Sequence, residues 1–472
     1  MNPSLNLSSL GNASLADQVA KRALESVPAY QAYCGVSKLP DRWQDLPCTD
    51  KKSYLSDYDY ADLLSPDVEN CFSVFSSSGS SGQPFYWPQL RSEESDGGER
   101  LRRFLEASFE IHERRTMAII GLALGSWIGG DHFSWAMKNL SQRSPYPFSV
   151  FSPGNQHEEI IRMIHASKPF TDQILLLVCP SAIGHLKSRA EAMGMPLPLE
   201  RMRFLVIGEA FPESMRFDLA QASGIPQGRI QMLSIFGSAD TGVLGHESPA
   251  SALIRGWCEA DPELRDALGF GRVVPHLFHL VDETAFLENV AGELCITKWQ
   301  GIPLIRYNLH DGVRLMSWKA ILDIVKPILP KGADDVLATL PDVLAITGRS
   351  DACLILCGTN INEAMLDNVM QQRQFSDELT GAYRARTIFD AGRQRLELEL
   401  EIREGLERSV AWVEELYFRL VKALGDVQPE FKGDWEQIYC FWDEDPQQRI
   451  LSLKFKPWPG LSGEGIKHRG IQ

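Results

Sequence analysis

The sequence contains few basic residues. Lysine and arginine together number 47 against 62 aspartates and glutamates, which gives a formal net charge of −15 at pH 7. A protein that neutralises DNA or RNA phosphates needs a basic face. The composition therefore argues against a nucleic-acid partner.

Long hydrophobic segments are missing as well. The longest apolar stretch, residues 117–130, is too short to span a bilayer and contains several glycines, so we expect a buried strand and loop there. The first residues, MNPSLNLSSLGNASLADQ, do not have the order of a secretory signal, in which a basic segment precedes an apolar one. We therefore expect a cytoplasmic protein with no membrane partner.

The nine cysteines are odd in number and have no paired CxxC spacing. This pattern fits neither a disulfide framework nor a zinc site, and it favours a reducing compartment such as the cytoplasm. Cys353 and Cys357 lie in an alternating apolar run, where small thiols pack well. We interpret both as core residues and not as a redox pair.

Size and composition favour a globular protein with two domains. At 472 residues the chain is too long for one core of ordinary size, and apolar residues make up 44% of it. Between about residues 72 and 315, short apolar runs such as 117–124, 174–178 and 203–207 alternate with amphipathic helices. This alternation predicts a large α/β domain of mixed or parallel sheets flanked by helices. Ligands bind to such sheets at loops beyond the carboxyl ends of the strands.

A second, small α+β domain is predicted after residue 350, so that the two domains span 1–350 and 351–472. Its predicted strands are 353–357, 396–402, 438–442 and 450–455, with helices from residue 361 and over 408–424. Because Glu or Lys stands at every second position of its strands, we expect one face of its sheet to be solvated.

The segment SSSGSSGQP, residues 76–84, is a candidate binding loop. It lies between the apolar runs 71–75 and 84–87, which predicts a tight loop between two strands. Glycines let consecutive backbone N–H groups converge and serine hydroxyls add donors, so such a loop suits phosphate oxygens. It is not a Walker A loop, because no Gly-Lys-Ser/Thr closes it. A flexible linker is the alternative.

Three further segments carry chemically useful side chains. In SIFGSADTG, residues 234–242, Phe236 is suited to stack on a purine and Asp240 to hold a metal ion; the alternatives are a core phenylalanine and a helix cap. Asp311 ends the segment PLIRYNLHD, which follows GELCIT, and a lone aspartate at a turn is often structural. Gly-Arg-Ser-Asp at residues 348–351 marks the domain boundary.

In order and spacing, these segments resemble the conserved motifs of the adenylate-forming superfamily of acyl-CoA synthetases, and most closely those of its phenylacetate-CoA ligase branch. The resemblance covers nearly the whole chain. Further landmarks of that branch are residues 27–30, 46–51, 127–130, 152–155 and 208–212. The resemblance implies the adenylate-forming enzyme fold, with a large N-terminal domain that binds ATP and an acid and a small mobile C-terminal domain.

The activity that the resemblance implies is that of an acid–thiol ligase which uses ATP, Mg²⁺ and coenzyme A. A carboxylic acid, which we expect to be aromatic, would become an acyl-adenylate and then a coenzyme A thioester. Two alternatives stay open: transfer of the acyl group to a carrier-protein thiol or an amine, and a nucleotide-binding protein that has lost catalysis. The sequence leaves the oligomeric state open.

The resemblance also implies which residues contact the substrates. The nucleotide would contact Ser77, Ser78, Gly79, Ser80, Ser81, Gly82, Gly208, Glu209, Ala210, Phe236, Gly237, Asp311 and Arg349. The acid would contact Trp127, Gly129, Phe236 and Gly237. Apart from the resemblance, Phe133 and Trp135 follow Trp127 closely and are candidates for an aromatic wall around an aryl acid, with simple packing as the alternative.

Some of these residues have distinct tasks in the family. Phe236 stands where the family has a tyrosine against the adenine, and Asp240 where it has the glutamate that binds Mg²⁺. Asp311 would hold the ribose hydroxyls, with Arg349 assisting. Asp351 would be the hinge about which the small domain rotates between the two steps.

Three positions depart from the family pattern. Gln83 replaces the usual lysine of the phosphate loop, and Asp240 is one methylene shorter than the family glutamate. The family also ends with a glycine–lysine pair whose lysine stabilises charge during catalysis, but Ile466 occupies the strict lysine position here. Lys467, one residue later, is the candidate catalytic lysine, and a solvated tail lysine is the alternative.

Overall fold

The computed structural model describes residues 5–36, 38–77, 85–225, 230–271, 274–328, 340–350, 353–390, 392–406, 408–443 and 445–461. The helices are α1 Ala13–Ser26, α2 Pro28–Cys34, α3 Tyr60–Leu63, α4 Arg91–Phe109, α5 Ile128–Arg143, α6 His157–Ala166, α7 Ala182–Ala192, α8 Glu213–Ser223, α9 Pro249–Ala260, α10 Pro262–Ala267, α11 Trp318–Val325, α12 Glu363–Met370, α13 Val410–Val427 and α14 Pro429–Gln437. The strands are β1 Asn6–Leu7, β2 Ser9–Leu10, β3 Cys71–Ser77, β4 Phe85–Leu90, β5 Thr116–Ile120, β6 Phe148–Phe151, β7 Gln173–Val178, β8 Met202–Val206, β9 Met232–Ser238, β10 Gly242–His246, β11 His276–Leu280, β12 Phe286–Val290, β13 Glu293–Lys298, β14 Leu304–Met316, β15 Val343–Arg349, β16 Cys353–Leu356, β17 Thr359–Asn362, β18 Leu379–Asp390, β19 Arg393–Ile402 and β20 Leu451–Pro457.

One large mixed sheet contains thirteen of the described strands. Their order is β2-β12-β13-β14-β15-β11-β10-β9-β8-β7-β5-β6, and β1 pairs with β14. Strands β5 to β9 pair in parallel, whereas β9 to β15 are joined by antiparallel pairs. Helices connect the parallel strands, so the predicted α/β sheet with crossover helices is confirmed.

Strand β7 shows why the sequences of the parallel strands are nearly continuous apolar runs. All six of its residues are buried. Ile174, Leu176 and Val178 pack in one apolar cluster with α6, α7 and α8, while Leu175 and Leu177 pack on the opposite face with α4 and α5. Because both faces are covered, the strand is apolar except for Gln173, whose side-chain amide donates a hydrogen bond of 2.9 Å to the carbonyl of Phe109. This rigid layer fixes where the carboxyl ends of the strands lie.

The C-terminal part of the chain has a core of its own, formed by buried residues between Leu354 and Leu451. Strands β18, β19 and β20 form a three-stranded sheet, and β16 and β17 form a separate hairpin. Helices α12 and α13 contribute to the same core. The predicted small α+β domain is therefore present, while its boundary after residue 350 stays a prediction.

One strand predicted in the small domain is wrong. Residues 438–442 contain a short 3-10 helix, Tyr439–Phe441, and no strand. The adjacent Asp443 is buried, and its carboxylate accepts hydrogen bonds from the side chains of Tyr417 and Trp435. A buried carboxylate needs such donors, and reaching them keeps this segment in a compact turn.

The expected solvated face of the three-stranded sheet is also wrong in part. Glu397 is only 8% exposed and forms ion pairs of 2.7 Å with Arg386 and 2.8 Å with Lys454. Glu401 is fully buried and accepts a hydrogen bond from the backbone N–H of Leu461. The alternation of Glu and Leu predicted the strand, but cross-strand ion pairs and the segment after β20 cover its charged face.

No helix in the described part of the chain is both long and apolar enough to cross a membrane. All nine cysteines are free. Cys353 is buried, whereas Cys357 is half-buried. Both line the cavity described next.

Candidate active site

A cavity of about 1730 Å³ lies between the large sheet and the small domain. Residues that follow the carboxyl ends of β5, β7, β8 and β9 line one side of it, and residues of β16, β17 and α14 line the other. Loops beyond strand ends are where ligands bind in sheets of this kind. The cavity therefore lies where the sequence places a site.

Every described residue to which the resemblance assigns a contact with the nucleotide, the acid or a metal lines this cavity. These residues are Ser77, Trp127, Gly129, Gly208, Glu209, Ala210, Phe236, Gly237, Asp240, Asp311 and Arg349. Ser78, Gly79, Ser80, Ser81, Gly82, the hinge candidate Asp351 and the catalytic candidate Lys467 lie outside the described residues, as do Gln83 and Ile466. The roles of all these residues stay predictions.

The two strands that flank the serine–glycine segment form the predicted hairpin. Strands β3 and β4 are antiparallel, and Ser77 opposite Phe85 is their last described pair. The backbone N–H of Ser76 donates to the carbonyl of Ser126 at 2.8 Å, and the two serine hydroxyls are 2.9 Å apart. The base of the loop is thus fixed beside Trp127, at the start of α5.

Lys51 is a site residue that the sequence did not single out. Its ammonium donates a hydrogen bond of 3.0 Å to the hydroxyl of Ser77, and it lines the cavity. Asp50 caps the helical turn Lys51–Leu55 by accepting from the backbone N–H of Ser53 at 2.6 Å, which fixes the start of that turn. A signal was available, because Lys51 ends the segment 46–51, which is one of the landmarks of the resemblance.

The turn between β9 and β10 brings Phe236 and Asp240 to the cavity. Gly237 is required there, because a Cβ would lie 2.3 Å from the carbonyl oxygen of Gly242. The ring of Phe236 stacks on that of Phe278, with centroids 5.3 Å apart. This stacking leaves Phe236 half-buried at the cavity wall instead of inside a core.

Asp240 is not a helix cap, so that alternative is wrong. It lies in the hairpin turn, and its carboxylate accepts a hydrogen bond of 2.7 Å from the hydroxyl of Tyr307. Mg²⁺ is usually held by one or two carboxylates together with substrate phosphates and waters. In the part of the chain that the structure describes, no group of three or more His, Cys, Asp or Glu residues could hold a metal. Asp240 therefore fits an ion that arrives with phosphates, and not an ion held by protein ligands alone.

Asp311 and Arg349 are direct neighbours on β14 and β15. Their carboxylate and guanidinium are 3.7 Å apart, and their side chains are 14% and 25% exposed. An ionised carboxylate only accepts hydrogen bonds. This carboxylate at the cavity wall is therefore suited to a ligand that offers hydroxyl groups.

His310 is a second residue that the sequence did not reveal. It adopts φ +58°, which is uncommon outside glycine. Its ring nitrogens lie 3.4 Å from a carboxylate oxygen of Asp50 and 3.7 Å from one of Glu293. Ser350 donates its hydroxyl to Glu293 and its backbone N–H to the carbonyl of His310. His310 thus links the Asp50 turn to the end of β15, and no sequence pattern marks such a link.

The aromatic wall is only partly as expected. Trp127 and Phe133 line the cavity. Trp135 is 41% exposed and contacts Phe72, with centroids 5.8 Å apart. Residues two apart on a helix point in nearly opposite directions, so Trp135 does not join the wall that Phe133 helps to form.

Glu209 is a buried acid at the cavity wall. It is 7% exposed, and burial raises its pKa to about 7. The backbone N–H of Ser181 donates to its carboxylate at 2.5 Å, which acts in the opposite direction but does not offset the burial. A carboxyl group that changes charge near neutrality makes the stability of this region depend on pH.

We predict that Glu209→Gln makes the protein more stable than wild type at high pH only. The folded protein binds the Glu209 proton more tightly than the unfolded chain, so this contribution to stability is complete below the ordinary carboxyl pKa and is lost as the pH rises through about 7. Urea unfolding at about pH 5 should show similar stabilities, and at about pH 8 the variant should gain roughly 1–3 kcal/mol.

The matched control is Glu200→Gln, since Glu200 is exposed. Its effect should be small at both pH values. If the free energies of unfolding of Glu209→Gln and wild type differ by the same amount at both pH values, burial does not raise the pKa of Glu209.

No family model matches the sequence, and neither does any curated protein. Among solved structures, the chain is similar to 2-hydroxyisobutyryl-CoA ligase in complex with 2-HIB-AMP and CoA in the thioesterification state, with a TM-score of 0.58, 15% identity, and 97% of this chain and 88% of that chain covered. It is also similar to 2-hydroxyisobutyryl-CoA ligase in the postadenylation state in complex with R3-HIB-AMP, with a TM-score of 0.50, 14% identity and the same coverage. Identities this low establish the fold and not the activity. The chain has the adenylate-forming enzyme fold.

Proposed function

We propose that this chain activates a carboxylic acid with ATP and transfers the acyl group to coenzyme A. One observation carries the proposal. The hairpin that ends at Ser77, the turn at Asp240 and the Asp311–Arg349 pair are far apart in the chain, yet they line one cavity. A site for a nucleoside triphosphate needs hydrogen-bond donors for the phosphates, a metal ligand, and an acceptor for the ribose hydroxyls.

The size of the cavity supports a reaction with two successive ligands. A single small-molecule site usually measures about 300–1,000 Å³, whereas this cavity measures about 1730 Å³. There is room for an adenylate beside a second reactant that enters from the small-domain side.

The proposed reaction has two steps. A carboxylate oxygen of the acid attacks the α-phosphorus of ATP, the bond to the β-phosphate oxygen breaks, and pyrophosphate leaves. The thiol sulfur of coenzyme A then attacks the acyl carbon, the bond from that carbon to the phosphate oxygen breaks, and AMP leaves while the thiol proton is released. No protein nucleophile is needed, so the task of the chain is to orient the reactants and to stabilise charge.

In this proposal Ser77 to Gly82 and Lys51 hold the phosphates. The ammonium of Lys51 already donates to Ser77, at the last described position before the loop. It is therefore suited to supply the positive charge that Gln83 cannot. Lys467, outside the described residues, is proposed to stabilise charge on the reacting carboxylate.

The nucleoside part would lie against the sheet. Phe236 offers a ring face for the adenine, with Gly208, Glu209 and Ala210 forming the facing wall of the cavity. Asp311 would accept hydrogen bonds from the ribose hydroxyls, and Arg349 would hold its carboxylate in place.

Asp240 is the proposed ligand of Mg²⁺. Bound together with the phosphates, Mg²⁺ would neutralise part of their charge. Tyr307 orients the carboxylate of Asp240 through its hydroxyl. The shorter side chain of Asp240, compared with a glutamate, fits contact through a water molecule.

We propose an aromatic acid as the substrate. Trp127, Phe133 and Phe236 line the cavity, and flat rings bind aromatic ligands by stacking and edge contacts. Gly129 lacks a side chain at the same wall, and a Cβ there would meet only Leu122 at 4.0 Å, which leaves space for the ring of an acid.

We expect acid-dependent exchange of labelled pyrophosphate into ATP when the protein is offered a panel of aromatic and aliphatic acids. Asp311→Ala should lower the exchange rate about 10- to 100-fold, since hydrogen bonds to a charged group are worth about 1.5–3 kcal/mol. Asp172→Asn is the matched control, because Asp172 forms an exposed ion pair with Arg115 and should leave the rate unchanged.

A second assay, which offers ATP, the same acids and each acceptor in turn, separates the alternatives. Thioester formation with coenzyme A supports the proposal, whereas product formed only with a carrier-protein thiol or an amine would replace coenzyme A as the acceptor. Nucleotide binding without exchange for any acid of the panel would favour a protein that has lost catalysis.

Lys51→Ala is expected to lower the exchange rate about 10- to 100-fold by removing a charge-assisted contact with phosphate. Lys51→Arg should retain more of the rate, because the charge is kept. The control is Lys21→Ala on the exposed side of α1. An unchanged rate of pyrophosphate exchange in Lys51→Ala would show that Lys51 does not bind the phosphates.

A further inference from the structure

Helix α7 has two occupied faces. Ile183, Leu186 and Ala190 point into the apolar cluster beneath the large sheet. The opposite face, which carries Gly184, His185 and Arg189, contacts the small domain. Positions four apart on a helix lie on the same side, so His185 and Arg189 form one continuous strip with Gly184 beside it.

Gly184 is in contact with the turn between β18 and β19. A Cβ at Gly184 would lie 2.5 Å from the carbonyl oxygen of Gly392 and 2.7 Å from Cγ of Arg393. Real Cβ atoms essentially never approach other atoms below 3.0 Å. The nearer of the two atoms belongs to the backbone, so rotation of a side chain cannot remove the clash. Only glycine at this position admits the turn.

His185 and Arg189 extend this contact. The ring of His185 is 3% exposed and lies 5.2 Å from that of Trp442 and 5.7 Å from that of Tyr439. The guanidinium carbon of Arg189 lies 5.6 Å from the ring centroid of Phe441. The small domain is thus seated on α7 by packed rings and not by a loose polar contact.

A second contact with the large sheet lies at the cavity itself. A Cβ at Gly358, in the β16–β17 turn, would lie 3.3 Å from the sulfur of Cys179. A Cβ at Gly208 would lie 3.5 Å from the same sulfur and 3.7 Å from Cα of Gly358. The backbones therefore approach each other closely on both sides of Cys179. The two contacts together define one position of the small domain.

In this position the small domain presents an acidic and neutral wall to the cavity. Glu430, Asp434 and Gln437 of α14 line it, and no lysine or arginine does so among the described residues 353–461. Burial raises the pKa of Asp434 to about 6, although a hydrogen bond from Thr359 acts against this shift. Such a wall repels a triphosphate, but it suits a neutral thiol that gives up a proton.

Building on the proposed function, we propose that this face of α7 is the seat of the small domain during acyl transfer, and that Gly184 is the positioning residue that admits the β18–β19 turn to it. The resemblance already implies that the small domain rotates between the two steps, so Gly184 would lose its contact with the turn during adenylation. In the transfer step the thiol sulfur bonds to the acyl carbon, AMP leaves, and the thiol proton is released toward the acidic wall.

The test compares the two steps in Gly184→Ala and Gly184→Val. Exchange of pyrophosphate into ATP should stay within about twofold of wild type, whereas thioester formation should fall at least about 10-fold, because a displacement of about 1 Å can cost a factor of about 100. Gly256→Ala is the control, since it is also a helical glycine of the large sheet's layer and its added Cβ would meet only an oxygen of Glu213 at 3.7 Å. It should leave both steps unchanged.

Equal losses in exchange and transfer, or no loss in either, would overturn the proposal. Alanine is a better helix former than glycine, so Gly256→Ala is expected to melt at or above the temperature of wild type. Gly184→Ala is expected to melt at a lower temperature, because its Cβ removes the contact of α7 with the β18–β19 turn.

Hydrogen exchange without substrates keeps this test apart from the proposed function. In Gly184→Val, amides of the β16–β17 turn and of residues 439–442 should exchange at least about 10-fold faster than in wild type, because they lose their cover. A wild type that forms no thioester would refute the function but not the seat. Unchanged hydrogen exchange of these amides in Gly184→Val would refute the proposed contact of the small domain with α7, even if the proposed function is correct.

Discussion

The negative charge of the chain is the constraint on which the candidate site depends. A protein with a net charge of −15 repels a triphosphate from a distance, so the proposed nucleotide site needs donors placed at short range. Lys51 at the base of the serine–glycine hairpin and Arg349 beside Asp311 are such local charges. Each is held by another side chain, which reduces the entropy lost when a ligand binds.

The sheet is what brings these charges together. Its parallel half ends in loops at one edge, and its antiparallel half continues that edge with the β9–β10 turn and the β14–β15 pair. Strand β14 is irregular where it passes the cavity, since both Arg306 and His310 adopt positive φ. Irregular strands redirect side chains, and here Asp311 follows directly after such a position. The rigid parallel layer and the bent strand β14 thus have different tasks.

The fold was more predictable from the sequence than the site. Strand β7 and the hairpin around the serine–glycine segment follow from apolar runs and from loop composition, which are local signals. The contact of Lys51 with Ser77 and that of Tyr307 with Asp240 are not local, because each joins residues far apart in the chain. The burial of Glu401 likewise depends on the segment after β20, which the alternation in β19 does not reveal.

The order of short motifs therefore carried information that no single motif did. Phe236 alone fits a core as well as a cavity wall, and Asp240 alone fits a helix cap. Both residues lie in the β9–β10 hairpin, where Gly237 lets the backbone of Gly242 approach closely. This position at the cavity decides between the interpretations. The contacts of the small domain at Gly184 and Gly358 have no sequence signature, because the sequence around a glycine does not reveal which distant backbone packs against it.

Titration calorimetry of ATP with and without Mg²⁺ shows whether the distant segments that line the cavity bind one nucleotide. We expect one ATP bound per chain and tighter binding with Mg²⁺. In Asp240→Ala this Mg²⁺ effect should be lost, while binding without magnesium is retained. No binding at all, or the same Mg²⁺ effect in Asp240→Ala as in wild type, would contradict the proposed nucleotide site.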